Sequence, residues 1–461
     1  MIMKINFSAK NSKVLVAIKL VESNESETLL LPTGAKEVRL GIGKRGGMTR
    51  RKLMLLPRMV VAMAKKARVK KFTVNFGDFV FPHLKIGRGE LAEIMAVNFQ
   101  LANFEFVRYK TKPKEGWNFI KEIIVRGAIS HADKAGFQRG LTIGEEINAC
   151  RALANTPGGD MTPTILAVEA RKAAAGTRAT VKVLDLRQIR KLGMGGVLGV
   201  AKGSDEEPKF IIVEYHGSGK KDKPMVLVGK GVTFDTGGIN LKTDGGKDMH
   251  MDMSGGAAVI HAVVLAAKLK LKKNIVALVP AVENMPSGSS YHPGDVLRTM
   301  SGQTIEVLNT DAEGRVILSD ALTYAKRYDP ALVVDVATLT GAAEVALGNR
   351  ASAIFSKDDI LLEKIRALGE ESGDYVWPLP LWDEYENDIK GTFGDWANTG
   401  SKGARGGGAI NGAMFLYQFA KDYRWLHIDI VPRMISIDGD YLAKGATGEP
   451  IRLLMKILEK L

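Results

Sequence analysis

Cysteine is nearly absent: Cys150 is the only one in 461 residues. An intramolecular disulfide is therefore excluded, and the chain suits a reducing interior. No apolar run approaches the roughly 20 residues that a membrane span requires. The N-terminal MIMKINFSAKNSKVLVAIKL alternates apolar residues with lysines and lacks the apolar block of a secretion signal. These absences set the expectation of a cytoplasmic protein without membrane contact. Metal chemistry built on histidine is missing too. There is no His-Glu-x-x-His, and the seven histidines are scattered. The glycine-rich stretch 228–242 lacks the spacing of a phosphate-binding P-loop.

Acids are absent between Glu37 and Asp78, and this gap is filled with cations. From Lys44 to Lys71 they are Lys44, Arg45, Arg50, Arg51, Lys52, Arg58, Lys65, Lys66, Arg68, Lys70 and Lys71. The first 130 residues carry essentially all of the net charge of +14. Such a face would suit nucleic acid or an acidic partner. The simpler reading is a solvated helix face, with Leu53, Met54, Leu56, Met59, Val60 and Met63 on the buried side.

What is present describes two domains, since 461 residues exceed one ordinary core. Residues 1–125 alternate strand-like runs with a few helices, giving a small basic α/β domain. Residues 126–157 read as a linker, with a helix over LTIGEEINACRALAN (141–155) stopped by the prolines that follow. From 158 to 461, apolar strands alternate with helices. PMVLVGKG, NIVALVPAVE, ALVVDVATL and WLHIDIV are the strands, and SGGAAVIHAVVLAAKLK is one of the helices. This alternation predicts a larger α/β domain with a mostly parallel sheet covered by helices.

Chemistry gathers at the predicted strand ends. VLNTDAEGRV (307–316) packs Asp311, Glu313 and Arg315 into five residues ahead of a helix. Helix capping is one explanation; a cation between the carboxylates is the other. VGKGVTFDTGGINLK adds Lys230, Asp235 and Lys242, and DMHMDMSGG adds Asp252, which alone reads as a helix cap. Four carboxylates in one cleft need cations to stay ionised, and two-metal sites share bridging carboxylates. Lysine ligates only if its pKa falls, which burial beside cations can achieve.

These stretches, with ENMPSG, DVATLTGA and the Asn-Thr-Asp-Ala-Glu-Gly-Arg signature, resemble the leucyl aminopeptidase (cytosol aminopeptidase) family from about Ala149 onward. The resemblance implies a two-metal exopeptidase using manganese, zinc or magnesium and releasing leucine or other apolar N-terminal residues from peptides. It implies that Asp235 and Glu313 bridge the metals, that Asp311 completes one site, and that Lys230 and Asp252 complete the other. Lys242 and Arg315 become the catalytic pair, with bicarbonate at Arg315 as general base. Met249, Asn309, Thr338, Leu339, Gly341 and Met434 become the substrate-binding residues, and a homohexamer the expected assembly. The chain departs from the family pattern at Val431-Pro432-Arg433, at Glu449 and in a shortened loop over 243–251.

Overall fold

The computed structural model describes residues 3–8, 16–30, 36–400 and 406–461. It forms two compact units. The first takes in residues to Asn148 together with Ser436–Lys444, and the second spans Ala149–Ile435 and Gly445–Leu461.

In the first unit the strands are β1 (Lys4–Ser8), β2 (Val16–Val21), β3 (Glu27–Leu30), β4 (Lys36–Gly41), β5 (Lys71–Asn75) and β6 (Glu122–Arg126). Part of the N-terminal strand reading, residues 9–15, lies outside the described residues. The sheet order is β1-β6-β5-β2-β4-β3, and only β3 runs antiparallel to its neighbour. Three helices accompany it: α1 (Arg50–Lys66), α2 (Arg88–Asn103) and α3 (His131–Ala154). The helix expected over 141–155 thus begins ten residues earlier, at His131. Up to Asn148 it belongs to the first unit.

The α1 helix starts on the Thr49 hydroxyl, which accepts from Lys52 N. It buries Leu53, Met54, Leu56 and Val60, while Met59 and Met63 are half-buried. Its cations are not all solvated. Arg58 is buried and donates to Asn98 Oδ1 at 2.7 Å and Asp440 O at 3.2 Å. Arg50 pairs with Glu90, Lys65 with Glu105 and Lys71 with Glu122. Arg45 donates to the carbonyls of Asp78 and Val80.

The second unit is built on β7 (Thr180–Leu184), β8 (Lys209–His216), β9 (Met225–Gly229), β10 (Gly231–Asp235), β11 (Asn274–Asn284), β12 (Val296–Arg298) and β13 (Thr304–Glu306). It continues with β14 (Leu332–Ala337), β15 (Ser352–Phe355), β16 (Val376–Pro378), β17 (Trp396–Ala397) and β18 (Trp425–Asp429). Its helices are α4 (Pro163–Ala174), α5 (Leu186–Lys191), α6 (Gly195–Ala201), α7 (Ser254–Lys268), α8 (Glu313–Ala325), α9 (Gly341–Leu347), α10 (Asp359–Ser372), α11 (Gly408–Tyr417) and α12 (Ile451–Lys460).

The main sheet runs β16-β15-β18-β14-β9-β11-β8-β7, with β10 also on β11. Its centre is parallel: β18, β14, β9 and β11 all point one way. Every residue of β9, β14 and β18 is buried, as strands covered on both faces require. The long β11 pairs first with β9 and then, past Leu278, with β10.

The stretch Gly246–Lys268, which ends in α7, has the length and composition of a membrane span but lies in the core, with 89% of its apolar window buried within the protein. Its apolar character serves packing against β9, β11 and β14.

The first unit also depends on a close helix contact. Gly136, Gly140 and Gly144 recur every fourth residue along α3. A Cβ at Gly140 would lie 2.5 Å from Glu93 O and 2.8 Å from Ala96 Cβ, so α2 and α3 touch backbone to backbone. We expect Gly140→Ala to destabilise the protein by about 2 kcal/mol. Alanine's helix preference would offset roughly 1 kcal/mol of the clash. A urea titration that gave an unchanged or higher midpoint would refute the close contact.

Candidate metal centre

The parallel strands deliver their last residues to one place. β9 is followed by Lys230, β10 ends on Asp235, β11 on Asn284, β14 is followed by Thr338, and β18 ends on Asp429. Ligands of open parallel sheets gather at such carboxyl ends. Asp252 enters from the turn before α7, and Glu313 is the first residue of α8.

Capping does not explain the acids. α8 has Ala312 at its N-cap and α7 has Met253, and neither start carries a side-chain cap. Instead, oxygens of Asp235, Asp311 and Glu313 all lie within 4.8 Å of one another. Lys230 Nζ sits 2.9 Å from Asp252 Oδ2, 2.8 Å from Glu313 Oε1 and 2.8 Å from Thr338 O. Lys242 Nζ lies 2.9 Å from Asp235 Oδ2 and also contacts Asp311. The loop over 243–251 leaves Lys242 beside the acids. Gly314 makes room for this arrangement, since a Cβ there would lie 2.6 Å from Lys230 Cε.

The charges do not balance. Four carboxylates face two ammonium groups, leaving an excess of two negative charges. Burial raises Asp252, Glu313 and Asp311 above the ordinary carboxylate range. Burial alone would lower Lys230, but Asp252, Glu313 and Asp235 outweigh it and hold it above the usual lysine value. Lys242 is raised in the same way: Asp235, Glu313 and Asp311 overcome its burial. The lowered lysine expected from sequence needs cations as neighbours; carboxylates push the other way. Asp252 Oδ2, Asp311 Oδ1 and Glu313 Oε1 are buried and meet lysine ammonium groups, and the buried Glu313 Oε2 has no partner among the described residues. Oxygen-rich, negatively charged and under-satisfied, this donor set fits hard or borderline divalent cations.

Arg315 stands on α8, buried, and makes no ion pair among the described residues. Its Nε has no partner there either. Burial pulls it down to about 10, against the opposing influence of Glu313 and Asp429.

The other sequence candidates are placed as follows. Thr338 is buried, and its hydroxyl reaches Asp252 Oδ1 at 2.7 Å. Asn309 turns its Oδ1 onto the Asp311 N–H at 2.8 Å. Leu339 N donates to Asp429 Oδ1 at 3.2 Å. Met249 is half-buried, Gly341 is exposed at the start of α9, and Met434 is buried. The two departures at Arg433 and Glu449 meet each other. Arg433 Nη2 donates to Glu449 Oε1 at 2.8 Å and its Nη1 to Asn349 O at 2.7 Å. The pair is buried.

Sequence reasoning missed the supporting amides. Asn398 accepts from the N–H groups of Leu308 and Asn309 and donates to Asn309 O at 2.6 Å. Asn240 Oδ1 accepts from Thr310 N, and Thr310 Oγ1 donates to Gly237 O. The quoted ENMPSG held one such residue, Asn284, to which no role was given. These residues knit 236–242 to 308–312, although some 70 positions separate them in the chain.

Residues 148–455 match the family described as the cytosol aminopeptidase family, catalytic domain. The chain is 50% identical over 333 residues to a probable cytosol aminopeptidase of Methylibium petroleiphilum, covering 72% of this chain and 68% of that protein. It is 41% identical over 429 residues to one of Burkholderia mallei, covering 92% and 84%. Among solved structures, a variant of tomato leucine aminopeptidase gives a TM-score of 0.87 at 28% identity, covering 100% of this chain and 97% of that one. The bottromycin maturation enzyme BotP in complex with Mn gives 0.85 at 29% identity, covering 96% and 99%.

The Arg433–Glu449 pair can be tested directly. Glu449→Gln leaves a buried guanidinium without its carboxylate and should cost about 3 kcal/mol. Adding Arg433→Met should recover most of that loss. Equal denaturation midpoints for Glu449→Gln and the parent chain would mean that the pair contributes nothing.

Proposed function

The chain belongs to the cytosol aminopeptidase family, whose members are metal-dependent aminopeptidases, and from that premise we propose how its residues divide the work. Asp235, Asp311 and Glu313, with Lys230 and Asp252 beside them, would hold two divalent cations. The observation that carries this reading is the carboxylate cluster, with oxygens of Asp235, Asp311 and Glu313 within 4.8 Å of one another and more carboxylates than the two lysines can neutralise. When bound, manganese, zinc or magnesium supplies water activation and carbonyl polarisation. Lys230 must lose its proton to serve as a ligand, which a neighbouring dication favours.

Lys242 stays an ammonium and donates to the oxyanion that develops on the scissile carbonyl. Arg315 holds an anion, bicarbonate in this reading, as the general base. A buried guanidinium without an ion pair supports that role. The substrate is a peptide with a free N-terminus. Met249, Asn309, Thr338, Leu339, Gly341 and Met434 receive its first side chain. The apolar character of Met249, Leu339 and Met434 favours leucine and similar residues. Arg433, committed to Glu449, brings no loose cation to that lining.

Assembly into a homohexamer belongs to the same reading, supported by exposed Val345, Ile360, Trp382 and Phe393, which a subunit contact would cover. A cytoplasmic location agrees with the names of the relatives. For nucleic-acid binding through 44–71, Arg45, Arg50, Arg58, Lys65 and Lys71 are already engaged within the first unit, and Lys44, Arg51, Lys52, Lys66, Arg68 and Lys70 are its other exposed cations.

Chelator treatment should abolish hydrolysis of a leucine chromogenic amide, and manganese, zinc or magnesium should restore it. Asp311→Ala should stay at least about 100-fold below the parent at any metal concentration. A folded parent protein that is inactive with every metal would overturn the proposal.

A further inference from the structure

The Asp235 carboxylate is aimed by a neighbour outside the ligand set. Asn284 ends β11 and pairs in register with Asp235 at the end of β10. It is fully buried. Its Nδ2 donates to Asp235 Oδ1 at 2.8 Å and to Thr310 O at 3.0 Å. Both partners are acceptors, so the amide nitrogen has to face them.

This divides the two oxygens of Asp235. Oδ1 also accepts from Gly237 N at 2.9 Å and so has two N–H donors. Oδ2 is left facing the site, where Lys242 meets it at 2.9 Å. The second bond acts on the other loop. Thr310 O is the carbonyl just before Asp311, and Tyr291 Oη donates to it as well, at 2.7 Å. Asn284 therefore ties the Asp235 carboxylate and the Thr310–Asp311 peptide to one side chain. Its own Oδ1 is buried without a donor. Gly238, at φ +64°, leaves the space it needs, since a Cβ there would lie 2.8 Å from that oxygen.

We infer that Asn284 is a positioning residue that holds the Asp235 and Asp311 loops at the spacing a divalent cation requires. The inference rests on the metal reading above. Strand pairing does not need this side chain: the Asn284 backbone carbonyl accepts from Thr236 N and Oγ1 whatever the side chain is. What the side chain adds is orientation, and partners that orient metal ligands typically change affinity about 10- to 100-fold.

The test compares the full-length parent protein with Asn284→Asp and Asn284→Ser. Aspartate keeps the shape but sets oxygen against the two acceptors. Serine removes the amide, leaves room for a water and carries the test if the aspartate variant does not fold. Manganese affinity is measured by competition with a chelator, and cobalt-loaded protein by its visible absorption. The expected result is a roughly 10- to 100-fold weaker affinity, an altered cobalt spectrum and turnover recovered at high manganese. The melting temperature of the chelator-treated variants should stay near that of the parent. Parent-like affinity and spectrum in a folded variant would overturn the inference. A parent protein that binds neither metal would overturn the metal reading itself, and the parent arm reports that separately.

Discussion

Four carboxylates brought together at the ends of parallel strands are the constraint around which the second unit is arranged. Asp235, Asp252 and Glu313 are almost wholly buried, and Asp311 is partly so. Desolvation and mutual repulsion both oppose this grouping. Lys230 and Lys242 offset part of the cost by lying between the acids as ammonium groups. The remainder is a standing demand for positive charge, and that demand is what a divalent cation meets. A site built this way is costly to the fold and valuable to the chemistry, because a bound cation faces ligands already in place.

The surrounding backbone serves that demand. Glycine at 314 lets the Lys230 side chain pass under the start of α8. Thr310, Asn240 and Asn398 convert two loops into one hydrogen-bonded unit, so the placement of the acids does not depend on loop rigidity alone. On the other side, Asp429 accepts from Leu339 N, Thr340 Oγ1 and Val431 N, joining the loops after β14 and β18. The Arg433–Glu449 pair extends the same network toward Asn349.

Much of the fold could be read from local pattern. The runs PMVLVGKG, NIVALVPAVE, ALVVDVATL and WLHIDIV contain the strands 225–229, 274–284, 332–337 and 425–429, because buried parallel strands are written as continuous apolar residues. The helix over 141–155 was read too short, since the polar, glycine-containing turns from His131 carry no clear helical periodicity. Their glycines serve contact with α2 and give no local helix signal. The apolar stretch 246–268 is as long as a membrane span, and its burial in the core accounts for its composition.

The sequence alone determined the residue types of the site and their order along the chain. Asp311, Glu313 and Arg315 are legible together because their spacing is local. The tertiary structure decided which distant residues meet. Asn284 faces Asp235 because β10 and β11 pair in that register, and Arg433 faces Glu449 because the chain returns there after β18. It also decided the charge state of Lys230, since a buried amine follows its neighbours, and those come from three separate stretches of the chain. Hydrophobic periodicity encodes which face of an element is buried. Which loops share the end of a sheet is fixed by strand order, and that order is set by long-range packing.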